Sequence, residues 1–370
     1  MNPKKTRDPA LDMIRCIAFL CIICAHFLLH TGFGEQTVAG KTMLVMTVMR
    51  NSFVICVPLF LMLTGYLIQS KEPGRNYYPK IFRILYVYLG ASFICGFFRV
   101  FYLKINSVPN VIIRTLAFET APYAWYIEMY IGLFLLIPFL NTMYDALCTQ
   151  RKKQALIATL LFLTALPSLL NTGNIYRFTD LQWWLRPSAE STYTPLIPDY
   201  WADLFPFTYF FLGKYLREYP VRFKPKQIAA FGIPVFLFTG LYSYYRSYGH
   251  VFISGFWQSH GSVFMTLQSV LVFCFFVNLD CTRLPSAVKA VLAKISDLSL
   301  GAYLTSWVFD EFIYTRLNDA VSGMRQRLMW FPVTVTLVLI GSLICSYGID
   351  LSYSLIRKNI HRYTKQEIRD

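Results

Sequence analysis

The chain has 370 residues, 55% of them hydrophobic and 17% aromatic, with a mean hydropathy of +0.44 and a formal net charge of +15. Those values exclude an ordinary soluble enzyme and place the chain among integral membrane proteins. They do not describe a nucleic-acid binder either, because Lys and Arg are segregated between apolar stretches and form no single basic surface.

Ten apolar segments read as the spans of an all-α, polytopic membrane helix bundle, at about 11–31, 43–69, 80–103, 124–145, 154–171, 201–217, 227–246, 260–279, 290–315 and 329–356. Roughly two thirds of the 35 Lys and Arg residues fall on one side of this layout, among them Lys4, Lys5, Arg75, Lys80, Arg83, Arg151, Lys214, Lys294 and Arg357. The positive-inside rule then puts both termini in the cytoplasm, as an even number of spans requires. Residues 1–10 read as a cytoplasmic N-terminus, 357–370 as a cytoplasmic basic tail, and 1–370 as one transmembrane domain. The first apolar run is too long for a cleavable signal and lacks a small-residue cleavage site.

The first segment is the most informative. Arg15 and His26 interrupt an otherwise apolar run from Leu11 to Leu29. At about 100° per residue, eleven positions bring His26 back to within about 20° of Arg15, roughly 16 Å further along the axis. His30 extends the same stripe. Ionisable residues at such depth must face protein, water or a ligand. The pair suggests a polar path from an anionic ligand at the inner face to a proton-transfer centre in the interior. Asp12, one turn from Arg15, is placed to fix its rotamer by an ion pair. A satisfied histidine with a snorkelling arginine would account for Arg15 but not for the deeper His26.

Further along, Arg50 lies early in the second span near the outer side, where it either contacts a substrate or snorkels outward. Lys80 and Arg83 open the third span, after Tyr77 and Tyr78. Tyr126 and Glu128 share a depth on the fourth; Arg99 is a candidate ion-pair partner for Glu128. The longest outer loop, about 172–200, carries Trp183, Trp184, Arg186, Glu190 and Tyr193, residues that stack on sugars or anchor at the lipid interface. Tyr303 and Ser306 share a face of the ninth span; their hydroxyls either line a cavity or, for Ser306, bond to the helix backbone. Cys21-Ile-Ile-Cys24 lies in an apolar helix without a second pair, so the nine cysteines read as small packing residues. No metal-ligand spacing stands out.

Five stretches in order resemble the acyltransferase-3 family of bacterial integral membrane acyltransferases. LDMIRCIAFLCIICAHF resembles its first helix, with the Arg–ten residues–His signature at Arg15 and His26 and the acidic Asp12 before it. VPLFLMLTGYLI, from Val57 to Ile68, is similar to the second-helix motif, and Lys80-Ile-Phe-Arg83 to the basic R-x-x-R element. AWYIEMYIGLFLLIPFLN, with Trp125 and Pro138, resembles the fourth-helix block, and ISDLSLGAYLTSWVFD, from Ile295 to Asp310, the ninth. Ser306 stands where relatives commonly carry a histidine. The SGNH-type extension that some members append is not part of this sequence, so the membrane part is expected to do all the chemistry.

The resemblance implies acyl transfer, usually of acetyl, from a cytoplasmic acyl-CoA such as acetyl-CoA to a hydroxyl of a cell-envelope or exported glycan, or of a lipid-linked sugar. Lys80 and Arg83 would pair with the donor's phosphates, and Tyr77 or Tyr78 would stack on its adenine. His26 would serve as general base or as a covalent acyl relay, alternatives the sequence leaves open. Arg15 would hold the donor or polarise the thioester carbonyl, steadied by Asp12. Arg50, Tyr126, Glu128, Tyr303 and Ser306 are the candidates for meeting the acceptor; Glu128 is one by its depth alone, since its spacing from Trp125 differs from the Glu-Glu of some family branches. A transporter or solute-binding module of the same fold is the alternative, since buried polar residues also mark solute paths.

Overall fold

The computed structural model describes residues 7–69, 73–74, 77–171 and 194–367, with side chains through 359. Trp183, Trp184, Arg186, Glu190 and Tyr193 of the outer loop, and Arg75, lie outside the described residues.

Among the described residues the fold is helical, with only two isolated bridges, Thr37 to Val251 and Val38 to Tyr248. The helices are α1 (Pro9–His30), α2 (Gly40–Phe53), α3 (Cys56–Leu67), α4 (Ile81–Phe97), α5 (Val108–Leu116), α6 (Trp125–Ala146), α7 (Gln150–Thr164), α8 (Pro167–Leu170), α9 (Phe205–Glu218), α10 (Pro225–Ser247), α11 (Val263–Val277), α12 (Ser286–Ala320), α13 (Met324–Met329) and α14 (Phe331–Glu367). Among the described residues, eight helical stretches are long and apolar enough to cross a membrane: Pro9–His30, Gly40–Leu67, Tyr78–Tyr102, Trp125–Ala146, Gln150–Leu170, Pro225–Ser247, Phe256–Val277 and Phe331–Asn359. The protein is therefore an all-α, polytopic membrane bundle. The two other expected segments are also helical. α9 has 14 residues, and α12 has 35 but carries Asp297, Asp310 and Glu311, which make it less apolar than the eight.

Local chemistry sets the first helix. Asp8 accepts from the Ala10 amide at 2.9 Å and Pro9 occupies the first turn, where a missing N–H costs nothing. At the far end Thr31 Oγ1 donates to the Phe27 carbonyl, and Gly32, with φ of 73°, turns the chain away in the left-handed region.

The second span is not the single helix expected from its hydropathy. It breaks at Val54–Ile55, between α2 and α3. Pro58 is the reason: it has no N–H to offer the Val54 carbonyl four residues back, and its ring crowds that carbonyl. The Cys56 thiol lies 3.7 Å from the freed oxygen. Broken helices are tolerated at membrane depth where they border a protein-lined cavity, and Val54, Cys56 and Val57 do line one.

α1 and α12 run parallel and side by side. Cys16 reaches the Leu292 carbonyl at one end, and Asn318 donates to the His30 carbonyl at the other, at 2.7 Å. α14 returns antiparallel to α12, with Ser346 donating to Leu298 O at 2.7 Å and Lys294 to Asp350 at 3.0 Å. α3 and α9 pack backbone to backbone at two glycines. A Cβ on Gly65 would sit 1.8 Å from the Phe210 carbonyl oxygen, and one on Gly213 would sit 2.0 Å from that of Met62. Small residues at such crossings are how membrane helices approach closely.

Candidate active site

A cavity of about 530 Å³ runs between α1, α3, α4, α6 and α12. Part of its polar lining gathers at two ends. Arg15, Arg83, Ser296, Asp297 and Asp350 stand where α1, α4 and α12 begin; His26, Trp125 and His260 stand where α1 finishes and α6 and α11 begin. On α1, Arg15, Ile22, His26 and Leu29 form one stripe on the cavity wall, as the helical period requires.

His26 sits in a chain of polar contacts. Its Nδ1 lies 3.0 Å from Asp310 Oδ2 on α12. Tyr123 donates its hydroxyl to the same oxygen at 2.8 Å, and its ring centroid is 4.0 Å from that of His26. His30 Nε2 lies 2.7 Å from the Tyr123 hydroxyl oxygen. The Tyr123 proton is committed to Asp310, so His30 donates in that contact. Tyr303 in turn donates its hydroxyl to the Tyr123 carbonyl, fixing the segment that leads into α6. Asp310 is fully buried, while the His26 side chain remains 12% exposed to the cavity. An Nδ1–H donated to a buried carboxylate leaves the lone pair on Nε2, the arrangement that orients a histidine as a base.

Asp310 and Tyr123 are absent from the sequence-based site. Asp310 had a visible signal: an acidic residue inside an apolar span, seven positions after Tyr303 and so on the same face. Tyr123 precedes its helix and had none.

At the other end the expected Asp12–Arg15 ion pair is present at 3.9 Å, but a second arginine holds the carboxylate more closely. The carboxylate of Asp12 is gripped by Arg7, Nε to Oδ2 at 2.6 Å and Nη2 to Oδ1 at 2.7 Å, whereas Arg15 stays 3.9 Å away. A guanidinium fork matches two carboxylate oxygens better than one nitrogen of Arg15 approaching along the helix. Arg7 also donates to Asp297 at 2.9 Å and 3.0 Å, tying the start of α1 to α12. Hydrogen bonds first to Asp12 and then to Asp297 hold the Arg7 pKa above its ordinary value. Arg15 donates to Ser296 Oγ at 3.1 Å instead.

The remaining expected residues divide. Arg83 lines the cavity, with its guanidinium 3.6 Å from Asp350. Lys80 and Tyr78 form the short turn before α4, outside the cavity lining; Lys80 is exposed, with its ammonium 5.7 Å from the Tyr77 ring centroid. Tyr77 is not free to stack on a ligand: its ring is buried against Phe134 at 4.5 Å, and its hydroxyl donates to the Phe134 carbonyl at 2.7 Å. Arg50, Tyr126 and Tyr303 line the cavity. Glu128 is exposed in the first turn of α6, outside the lining, and Arg99 is held by the Thr120 carbonyl at 3.1 Å and the Trp307 ring instead. Ser306 is fully buried and donates to the Tyr303 carbonyl of its own helix at 2.9 Å, so it bonds backbone and does not line the cavity.

A family model described as an acyltransferase domain matches residues 8–350, and the chain belongs to this acyltransferase-3 family of polytopic membrane acyltransferases. Membrane acyl transfer is thus its general activity. No curated protein and no solved structure matches the chain.

Proposed function

We propose that this chain moves an acetyl group from cytoplasmic acetyl-CoA to a hydroxyl of a cell-envelope or exported glycan, as an O-acetyltransferase of the bacterial inner membrane. In this reading residues 1–370 form one ten-span domain with both termini in the cytoplasm, in keeping with the bias of Lys and Arg. One observation carries it: a histidine backed by a buried carboxylate opens onto the same cavity as Arg15 and Arg83.

The donor's phosphates meet Arg83 and Lys80 at the cytoplasmic edge, with Tyr78 beside them. Its pantetheine arm passes Arg15 and brings the thioester toward His26, roughly 16 Å further along α1. That is a length an extended arm covers. The acceptor hydroxyl enters from the other end, along Tyr126, Tyr303 and Arg50. Its oxygen attacks the thioester carbonyl while His26 Nε2 takes the proton. The C–S bond then breaks, and the leaving sulfur takes the proton back from His26, giving the ester and free CoA thiol. Asp310 holds the imidazole in the required tautomer and balances the imidazolium as it forms. Asp12 contributes by anchoring Arg7 beside Arg15. Glu128 and Ser306 lie outside the cavity lining and carry no role in this reading.

The test is release of CoA thiol from acetyl-CoA by the purified, reconstituted protein supplied with envelope glycan. Release that depends on glycan and disappears in His26→Ala supports the reading. Solute movement across the vesicle without any CoA release would favour the transporter alternative and sink it.

A further inference from the structure

Among the described residues three arginines line the cavity, and two of them are matched. Arg15 has Ser296 at 3.1 Å and Asp12 at 3.9 Å; Arg83 has Asp350 at 3.6 Å. Arg50, near the end of α2, has no hydrogen-bond or ion-pair partner among the described residues. It does not reach out to lipid either, because it lies on the cavity wall beside the Val54–Ile55 break, with Val54 and Cys56. Its electrostatic neighbours there are Cys56 and His260; the buried Nδ1 of His260 makes no hydrogen bond of normal geometry among the described residues, with the Val54 backbone the acceptor acting on the ring. His260 is fixed by stacking on Trp125, with centroids 5.6 Å apart and planes at 19°, and on the other side it meets Phe205 at 6.0 Å.

A guanidinium inside a membrane protein with no counter-charge is costly, and an arginine fork is shaped for two oxygens of a carboxylate or phosphate. We infer that the Arg50–His260 corner binds an anionic oxygen group of the acceptor, so that the acetylated sugar carries a carboxylate or a phosphate. Arg50 supplies the charge and the fork, His260 Nδ1 a further hydrogen bond, and Trp125, which remains 42% exposed, an aromatic face beside the anion on which a sugar ring stacks. The acceptor is favoured over the donor as the source of the anion because this corner borders the starts of α6, α9 and α11, away from the Arg15 and Arg83 group. The inference deepens the acyl-transfer reading and rests on it for the word acceptor.

The experiment uses the full chain in nanodiscs of phosphatidylcholine alone, so that no anionic lipid competes. Binding of three probes is measured by ligand-observed NMR: methyl glucuronide, glucose 1-phosphate and the neutral methyl glucoside. The two anionic sugars should bind, be displaced by inorganic phosphate, and bind about tenfold more tightly than methyl glucoside. Arg50→Gln should weaken both about tenfold and leave the neutral sugar unchanged, while Arg50→Lys keeps part of the preference. Acetyl-CoA binding retained by Arg50→Gln shows that the variant is folded; displacement by phosphate in the wild type needs no variant. Equal binding of charged and neutral sugars, or no binding of either anionic probe to the wild type, would overturn the inference. Displacement of the sugars by added phosphatidylglycerol would assign the anion to a lipid headgroup and also overturn it. Binding of anionic sugars through Arg50 without turnover of acetyl-CoA would leave the anion site standing and refute the transfer reading instead.

Discussion

His26 Nδ1 and Asp310 Oδ2 meet at 3.0 Å, joining two helices through residues 284 positions apart in sequence. The carboxylate is fully buried and the imidazole is open to the cavity, so the pair has one protected and one working side. Asp310→Asn preserves shape but lets the ring take the wrong tautomer. The acyl-transfer rate should fall about 10²- to 10⁴-fold, with the KM for acetyl-CoA nearly unchanged. The double variant with His26→Gln should be no worse than the worse single one, because the two groups act as a unit. A steady-state comparison of the three variants checks this; additive losses would separate the residues.

Arg83 is expected to act on donor binding alone. Arg83→Ala should raise the KM for acetyl-CoA about tenfold and leave kcat within a factor of two, since a charge-assisted contact made equally in ground and transition states is lost. An acetyl thioester of pantetheine, which lacks the nucleotide phosphates, should show no difference between wild type and variant. A fall in kcat with both donors would place Arg83 at the chemistry instead.

The α3–α9 crossing should be the least tolerant packing site described here. Gly65→Ala and Gly213→Ala each drive a methyl into a backbone carbonyl of the facing helix, which cannot swing aside as a side chain does. Each should destabilise by about 1–3 kcal/mol and lower the melting temperature in detergent. Gly348→Ala, with nothing within 4 Å of the new Cβ, is the control and should be neutral or slightly stabilising. Equal melting of all three would mean the two helices are further apart.

The Arg7 clamp predicts a non-additive pair. Arg7→Gln removes both short bonds to the buried Asp12 carboxylate, leaves it Arg15 at 3.9 Å, and should cost about 1–2 kcal/mol, allowing for the solvent that screens the half-exposed Arg7. Asp12→Asn in the same chain should recover part of that loss, because the carboxylate that lost its two short bonds is then neutral, while Arg15 keeps Ser296. Chemical denaturation of the two variants and of their combination measures it; independent losses would show that the clamp is not a unit.

Much of the layout was legible because hydropathy and helical period act along the chain. All ten expected segments are helical, and the Arg15–His26 stripe faces one cavity because eleven residues make just over three whole turns. What stayed hidden depends on contacts between helices. Asp12 keeps its expected contact with Arg15 at 3.9 Å, but its short bonds go to Arg7, which the helical spacing did not single out. Asp310 was visible as a charge in an apolar helix, but only the parallel pairing of α1 with α12 brings it to His26. The break at Val54–Ile55 was encoded in Pro58, four residues on, yet hydropathy runs straight through it. For Ser306 the sequence left two alternatives, and the one found is the hydroxyl bonded to its own helix backbone.

The most direct measurement of the central claim follows isotope from acetyl-CoA labelled in its acetyl group, added to one side of reconstituted vesicles that hold glycan on the other. The account predicts label in an ester on the glycan, one CoA thiol released for each ester formed, and loss of both in His26→Ala and in Asp310→Asn. Ester formation undiminished in both variants, or label that never reaches a hydroxyl, would contradict it.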